Sequence, residues 1–124
     1  MVTRDAAKIA GLDDKLGKLE AGRPADLAVL ERREDPWENV VAADPSWVEL
    51  VMIDGDLAYG SEDWMKELAD PDQAAGLEPV IAWGKRMLLD TSYQVRPGAE
   101  KPPKLAQLRA ELIDKYKPLG PIFA

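Results

Sequence analysis

The sequence predicts an α+β fold with about three helices and two β-hairpins plus a further strand, roughly four to six strands in all. Three observations predict it. Asp54-Gly55 separates two apolar runs, the stretch from Pro79 to Leu89 repeats that pattern around Gly84, and amphipathic segments with capping residues lie on either side.

Thr3 is placed to cap a short helix over Arg4 to Ala10, with Asp5 in its first turn and Gly11 as its stop. Ala6, Ile9 and Ala10 share one face at the i, i+3, i+4 spacing. The segment from Leu16 to Leu30 changes character halfway. Gly17, Gly22 and Pro24 mark turns, and Leu27 to Leu30 is a continuous apolar run of the kind a buried strand shows. Residues 31–47 are charged and broken by Pro36 and Pro45, and read as a connection that carries Trp37, Val40, Val41 and Trp47 inward.

Val48 to Tyr59 is the clearest local signal. Asp54-Gly55 between apolar runs is a two-residue hairpin turn, because both central residues of a type I′ turn need φ > 0. Ser61 is placed to cap a second helix, with Glu62 and Asp63 in its first turn, Trp64, Met65, Leu68 and Ala69 on one face, and Pro71 as its end. The second hairpin turns at Trp83-Gly84-Lys85. Val95 to Lys104, with Pro97, Gly98, Pro102 and Pro103, reads as an extended linker. A last helix spans about Lys104 to Lys117 with Leu105, Leu108, Leu112, Ile113 and Tyr116 as its stripe, stopped by Pro118 and Gly120. Its leucines could dock on a partner, but the intramolecular core is the more usual destination and is expected here. The apolar end Ile122-Phe123 is expected to dock.

The chain of 124 residues is about one domain, long enough to bury a core. It has no histidine and no cysteine. That removes Ser-His-Asp and Cys-His nucleophile pairs, imidazole acid–base chemistry, His/Cys zinc sites and disulfides. Sixteen Lys plus Arg against 23 Asp plus Glu leave a net charge of −7, which argues against a nucleic-acid partner. No apolar run is long enough to cross a bilayer and no signal peptide is visible at Met1, so no membrane partner and a cytoplasmic location are expected.

Several groups carry potential chemistry, each beside a plainer role. Asp54 and Asp56 flank Gly55 as a DxD pair, but a hairpin turn wants the Asp for its backbone, and calcium-loop spacing is missing. The pairs Asp13-Asp14 and Asp70/Asp72 sit at helix ends or turns, where carboxylates are routine. Gly84-Lys85 lacks the glycine of a phosphate loop, since position 79 is Pro79. Ser92, Tyr93, Lys101 and Lys104 have no orienting base nearby in sequence. Trp37, Trp47, Trp64 and Trp83 are a ligand platform or, as is more usual, packing residues. No catalytic residue is assigned.

The segment from Thr3 to Gly60 resembles the C-terminal end of the amidohydrolase superfamily, the metal-dependent hydrolases that include imidazolonepropionase and dihydroorotase. Three pieces carry the resemblance, in order: Thr3-Arg4-Asp5-Ala6-Ala7 with Gly11-Leu12, the string Leu16-Gly17-x-Leu19-Glu20-x-Gly22-x-x-Ala25-Asp26-Leu27-x-Val29-Leu30, and Val51-Met-Ile-Asp54-Gly55-Asp56 to Gly60. It covers about half the chain; the match of the remainder to a C-terminal extension is much weaker.

The resemblance implies that this string marks where a chain leaves a (β/α)8 barrel to join a composite β-sandwich. Here that means a partial sandwich without the barrel, with residues 1–60 as helix and sandwich strands and 61–124 as an extension folded with them. Gly17, Gly22, Ala25, Asp26, Asp54 and Gly55 form the structural signature, Asp26 bracing the start of its strand. The family's metal ligands are a His-x-His pair, two further histidines, often a lysine, and an aspartate. All lie on barrel strands upstream and have no counterpart here. The parent reaction is metal-assisted hydrolysis of an amide or cyclic amide C–N bond, with a divalent metal, typically zinc. The chain itself is expected to hold no cofactor and to be a truncated reading frame, an engineered fragment or half of a split enzyme. Its uncovered strand edges are expected to recruit a second copy or a missing barrel-bearing chain. The alternative is a stand-alone interaction module on the same scaffold.

Overall fold

A computed structural model describes residues 3–91 and 103–118. Helix α1 (Arg4–Ile9) precedes strand β1 (Leu27–Leu30), helix α2 (Pro36–Ala42) and a 3-10 turn at Pro45–Trp47. Strands β2 (Val48–Ile53) and β3 (Asp56–Ser61) follow, then helices α3 (Glu62–Leu68) and α4 (Pro71–Ala74), strands β4 (Leu77–Ala82) and β5 (Lys85–Asp90), and helix α5 (Leu105–Lys115).

The strands form one open antiparallel sheet in the order β1-β2-β3-β5-β4. The fold is α+β, without a barrel among the described residues. Both hairpins turn where the sequence requires. Asp54 and Gly55 have φ of 53° and 88°, and Trp83 and Gly84 have 55° and 74°, the left-handed pairs that two-residue turns demand. The two halves of the chain meet in the sheet, where Tyr59, Gly60 and Ser61 of β3 pair with Leu89, Leu88 and Met87 of β5.

One face of the sheet is covered by α3. Leu50, Leu57, Met65 and Leu88 form the buried cluster, with Val29, Met52, Ala69 and Leu77 packed against it. A register shift between Val51 and Met52 brings Leu57 opposite Met52 and Gly60 opposite Leu50, so Leu57 and Gly60 face the same side although three residues apart. Gly60 is where α3 crosses. A Cβ there would lie 2.9 Å from the Glu49 carbonyl oxygen, 2.9 Å from Leu50 Cδ1 and 3.1 Å from Met65 Cγ.

Several expectations are corrected. Residues 31–47 contain a helix, not only a connection, because Asp35 caps it through the Trp37 and Glu38 N–H groups while Pro36 takes the first helical position, where no N–H is needed. Trp37, Val40 and Val41 do not point inward; they are exposed, and Asn39 is the buried residue. On α1 the buried residue is Ala7, and Ile9 is exposed. Thr3 makes no side-chain cap, since φ −128°, ψ −100° lies outside the extended region from which a cap reaches into the first turn. Ser61 caps nothing through its side chain either; it is the last residue of β3, paired with Met87. Helix α3 ends at Leu68 with Ala69 as its C-cap, and Pro71 instead opens α4 behind an Asp70 cap.

No residue of α5 is buried: Leu108, Leu112 and Tyr116 face outward, so that stripe is not core. Its first N–H, at Leu105, donates to Glu78 Oε1 at 3.3 Å. The expected linker from Val95 up to residue 102 and the tail residues Ile122 and Phe123, expected to dock, lie outside the described residues, as do Ser92, Tyr93, Lys101 and Gly120.

Candidate functional site

Four of the six signature residues, Ala25, Asp26, Asp54 and Gly55, come together around the β2–β3 turn. Asp26, one residue before β1, accepts the Asp54 N–H at 2.7 Å through Oδ1, and the Ala25 carbonyl accepts the Gly55 N–H at 3.3 Å. The start of β1 thus clasps the turn of its neighbour and fixes the β1–β2 register, in which Leu27 faces Met52. Gly17 works at a distance from this clasp. At φ +88° its missing side chain leaves room for α1: a Cβ would meet Ala7 Cβ at 2.8 Å and the Arg4 Cα and Thr3 oxygen at 3.1 Å. Gly22, at φ +84°, has no such neighbour and serves conformation alone.

Directly after Gly22, Arg23 ties the turn. Its Nε donates to Glu20 Oε2 at 2.9 Å and a terminal nitrogen donates to the Asp13 carbonyl at 2.9 Å. The Arg23 hydrogen bond holds the Glu20 carboxyl below its ordinary range.

Of the remaining carboxylate candidates, Asp70 accepts from the backbone N–H groups of Asp72 and Gln73 at 2.9 and 2.8 Å, and Asp56 accepts from the Gln73 side chain, Nε2, at 3.2 Å. Asp13, Asp14 and Asp72 are exposed. Lys85, beside Gly84, donates to Glu49 Oε1 at 2.9 Å and lies 3.5 Å from Glu31 Oε2. Three of the four tryptophans, Trp37, Trp64 and Trp83, are exposed on α2, α3 and the β4–β5 turn, so the packing role expected for them holds only at half-buried Trp47. The Arg33 guanidinium sits 4.8 Å from the Trp47 ring centroid.

An open cleft of about 390 Å³ lies between α3, α4 and the β4–β5 hairpin, lined by Glu62, Lys66, Arg86, Leu77, Pro79 and Leu88 among others. Glu62 bridges two cations there, Lys66 at 2.6 Å and Arg86 at 3.0 Å. The Lys66 hydrogen bond, ahead of the Arg86 charge, lowers the Glu62 pKa. A general acid needs the opposite shift. Of the groups whose pKa is shifted, Glu20, Glu31, Asp44 and Glu62 are lowered, and Lys85, Arg33 and Tyr59 are raised, Tyr59 mainly by burial. None is tuned toward neutral pH. Among the described residues no group of three or more His, Cys, Asp or Glu is placed to hold a metal ion, and no helix is long and apolar enough to cross a membrane.

Sequence reasoning missed Asn39. Its Oδ1 accepts from the Arg33 and Glu34 N–H groups at 2.8 and 3.1 Å, and its Nδ2 donates to the Glu31 carbonyl at 3.1 Å. It pins α2 to the end of β1. An Asn at the inward position of an Asp-Pro-capped helix was the available signal.

Residues 1–58 match the family model described as the amidohydrolase family. The match runs from α1 through β2 into β3 and includes every residue of the clasp. Comparison with curated proteins and with solved structures finds no match.

Proposed function

We propose that the chain is a non-catalytic C-terminal portion or subunit of a metal-dependent amidohydrolase whose parent hydrolyses amide or cyclic amide C–N bonds. The Asp26–Asp54 clasp carries this reading: the residues that match the family are spent on holding a sheet together. The zinc of the parent family does not fit the residues present. The sequence holds no histidine, and the carboxylates of Asp26, Asp56 and Asp70 already accept hydrogen bonds.

In this reading residues 1–60 and 61–124 are one folded unit, which the β3–β5 pairing supports. The chain works in the cytoplasm, and its partner is a second copy or a barrel-bearing chain that completes the sheet beyond β1 or β4, its two edges. The experiment is an assay of the pure chain, with and without added zinc, against a panel of cyclic amides. The reading predicts no turnover in either case; zinc-dependent hydrolysis that survives repurification would overturn it. Exposed Trp37, Trp64 and Trp83 favour a second reading, a stand-alone interaction module, which predicts the same null assay but no association with a barrel-bearing chain.

A further inference from the structure

The two edges of the sheet offer different backbones. On β4 the two-residue turn makes Ala82 and Lys85 a hydrogen-bonded pair, so Val80 and Glu78 also turn their backbone groups toward β5, while Leu77, Pro79 and Ile81 turn theirs outward. Pro79 therefore removes a donor from that edge, a device that blunts pairing with another chain. On β1 the Ala25 carbonyl accepts the Gly55 N–H, and the Glu31 N–H donates to the Trp47 carbonyl, so the odd-numbered residues face β2. Ala28 and Leu30 then point N–H and C=O outward, with Asp26 and Arg32 flanking them at the same parity. Strand β1 neighbours β2 alone in the sheet, Ala28 is exposed, and no proline interrupts the strand.

We propose that β1 pairs antiparallel with β1 of a second copy about a twofold axis at Val29, which joins the two sheets into one. The strand is complementary to itself in this register. Ala28 of each copy forms a hydrogen-bonded pair with Leu30 of the other, and Val29 faces Val29 across the axis. Asp26 then falls opposite Arg32 of the second copy, on both sides of the axis. Both residues are exposed; Asp26 uses Oδ1 on the Asp54 N–H, and Arg32 has no partner among the described residues. No like charges stand directly opposite. Glu31, bound to Arg33 and near Lys85, faces Leu27, while Arg33 faces Ala25 and Glu34 faces Pro24. The neighbouring registers are worse: an axis at Ala28 sets Arg23 against Arg33, and an axis at Leu30 sets Asp26 against Glu34. The proposal gives an edge and a register to the second-copy partner named above and rests on that reading.

The chain has no cysteine, so single substitutions measure the register directly. Across the axis the Cα atoms of a non-hydrogen-bonded pair lie about 4.5 Å apart, within disulfide reach, whereas the diagonals from 28 to 28 and from 30 to 30 span about 7–8 Å. Full-length Val29→Cys, oxidised at tens of micromolar, is expected to form a disulfide dimer, and Ala28→Cys and Leu30→Cys are not. Sedimentation equilibrium of wild type, Ala28→Pro and Arg32→Glu is the second arm. The wild type is expected to dimerise. Ala28→Pro removes an outward donor that β2 does not use and should weaken the dimer at least roughly tenfold. Arg32→Glu sets a carboxylate against Asp26 and should weaken it roughly threefold or more, less so at high salt. Circular dichroism checks folding, and Arg32→Glu, at an exposed position, carries the test should Ala28→Pro not fold. Undiminished dimers of the folded variants would overturn the proposal and put the second copy elsewhere on the chain, with the second-copy reading intact. A cross-link at 28 or 30 in place of 29, or at none of the three, would overturn the register. A monomeric wild type would overturn both the proposal and the second-copy reading, and leave the barrel-bearing chain as partner.

Discussion

Gly60→Ala adds one methyl group at the point where α3 crosses the sheet. In an open strand this change is stabilising by roughly 0.5–1 kcal/mol, because glycine loses more backbone freedom on folding. Here the new Cβ meets the Glu49 carbonyl oxygen at 2.9 Å, Leu50 Cδ1 at 2.9 Å and Met65 Cγ at 3.1 Å. Glu49 lies in β2 and its oxygen is backbone; Leu50 and Met65 are almost wholly buried, with 2% and 0% exposure. None of the three gives way cheaply. Overpacking of this kind costs about 1–3 kcal/mol, so after the entropic gain the net expectation is a loss of about 1 kcal/mol. With a urea slope of ~2 kcal/mol per molar, the unfolding midpoint should fall by about 0.5 M. Tryptophan fluorescence reads the transition. In the background of Met65→Ala, itself destabilising by about 2–5 kcal/mol, the added loss should shrink but persist, because the Glu49 contact remains. A Gly60→Ala protein as stable as wild type, or more so, would refute the packing of α3 on this strand.

Asp26→Ala should lose about 1 kcal/mol by freeing the Asp54 N–H, and Asp26→Asn less, since an amide oxygen still accepts; thermal melts decide. Asn39→Ala strips three hydrogen bonds from a residue only 6% exposed and should cost about 2–3 kcal/mol in urea unfolding, with Asn39→Asp intermediate because it keeps the acceptor and loses the donor. Glu31 and Glu62 have folded pKa values below 4.5, so their contribution is present above that pH and should fade as acid passes through the lowered values; Lys85 and Tyr59 are raised above 10.5 and 10.0, so theirs is present below those values and fades as pH climbs through the raised ones. Unfolding midpoints of wild type and Lys85→Gln across pH check this: the variant should lose less on the alkaline side.

The parts of this fold legible in the sequence are those set by local backbone chemistry. Asp54-Gly55 and Gly84 announce their turns because few residues tolerate φ > 0, and Leu27 to Leu30 reads as a strand because no polar residue interrupts it. Asp35-Pro36 announced α2 equally well. Proline breaks a helix interior but starts a helix at its first position, so Pro36 alone does not say which it does, and the Asp35 cap decides. The direction in which apolar side chains point was less legible. A stripe such as Leu108, Leu112 and Tyr116 has the same spacing whether it meets its own sheet or another molecule, so periodicity reports a face and not its neighbour. The clasp was half visible: a bracing role for Asp26 follows from its place before β1, but its partner, 28 residues away, emerges only from the sheet register.

Residues that match the family but hold a sheet and no metal should leave zinc unbound, and calorimetric titration of the full chain with zinc tests this most directly. No stoichiometric binding at micromolar metal is expected, and the same trace for Asp26→Ala. One equivalent bound by the wild type and lost in Asp26→Ala would contradict it.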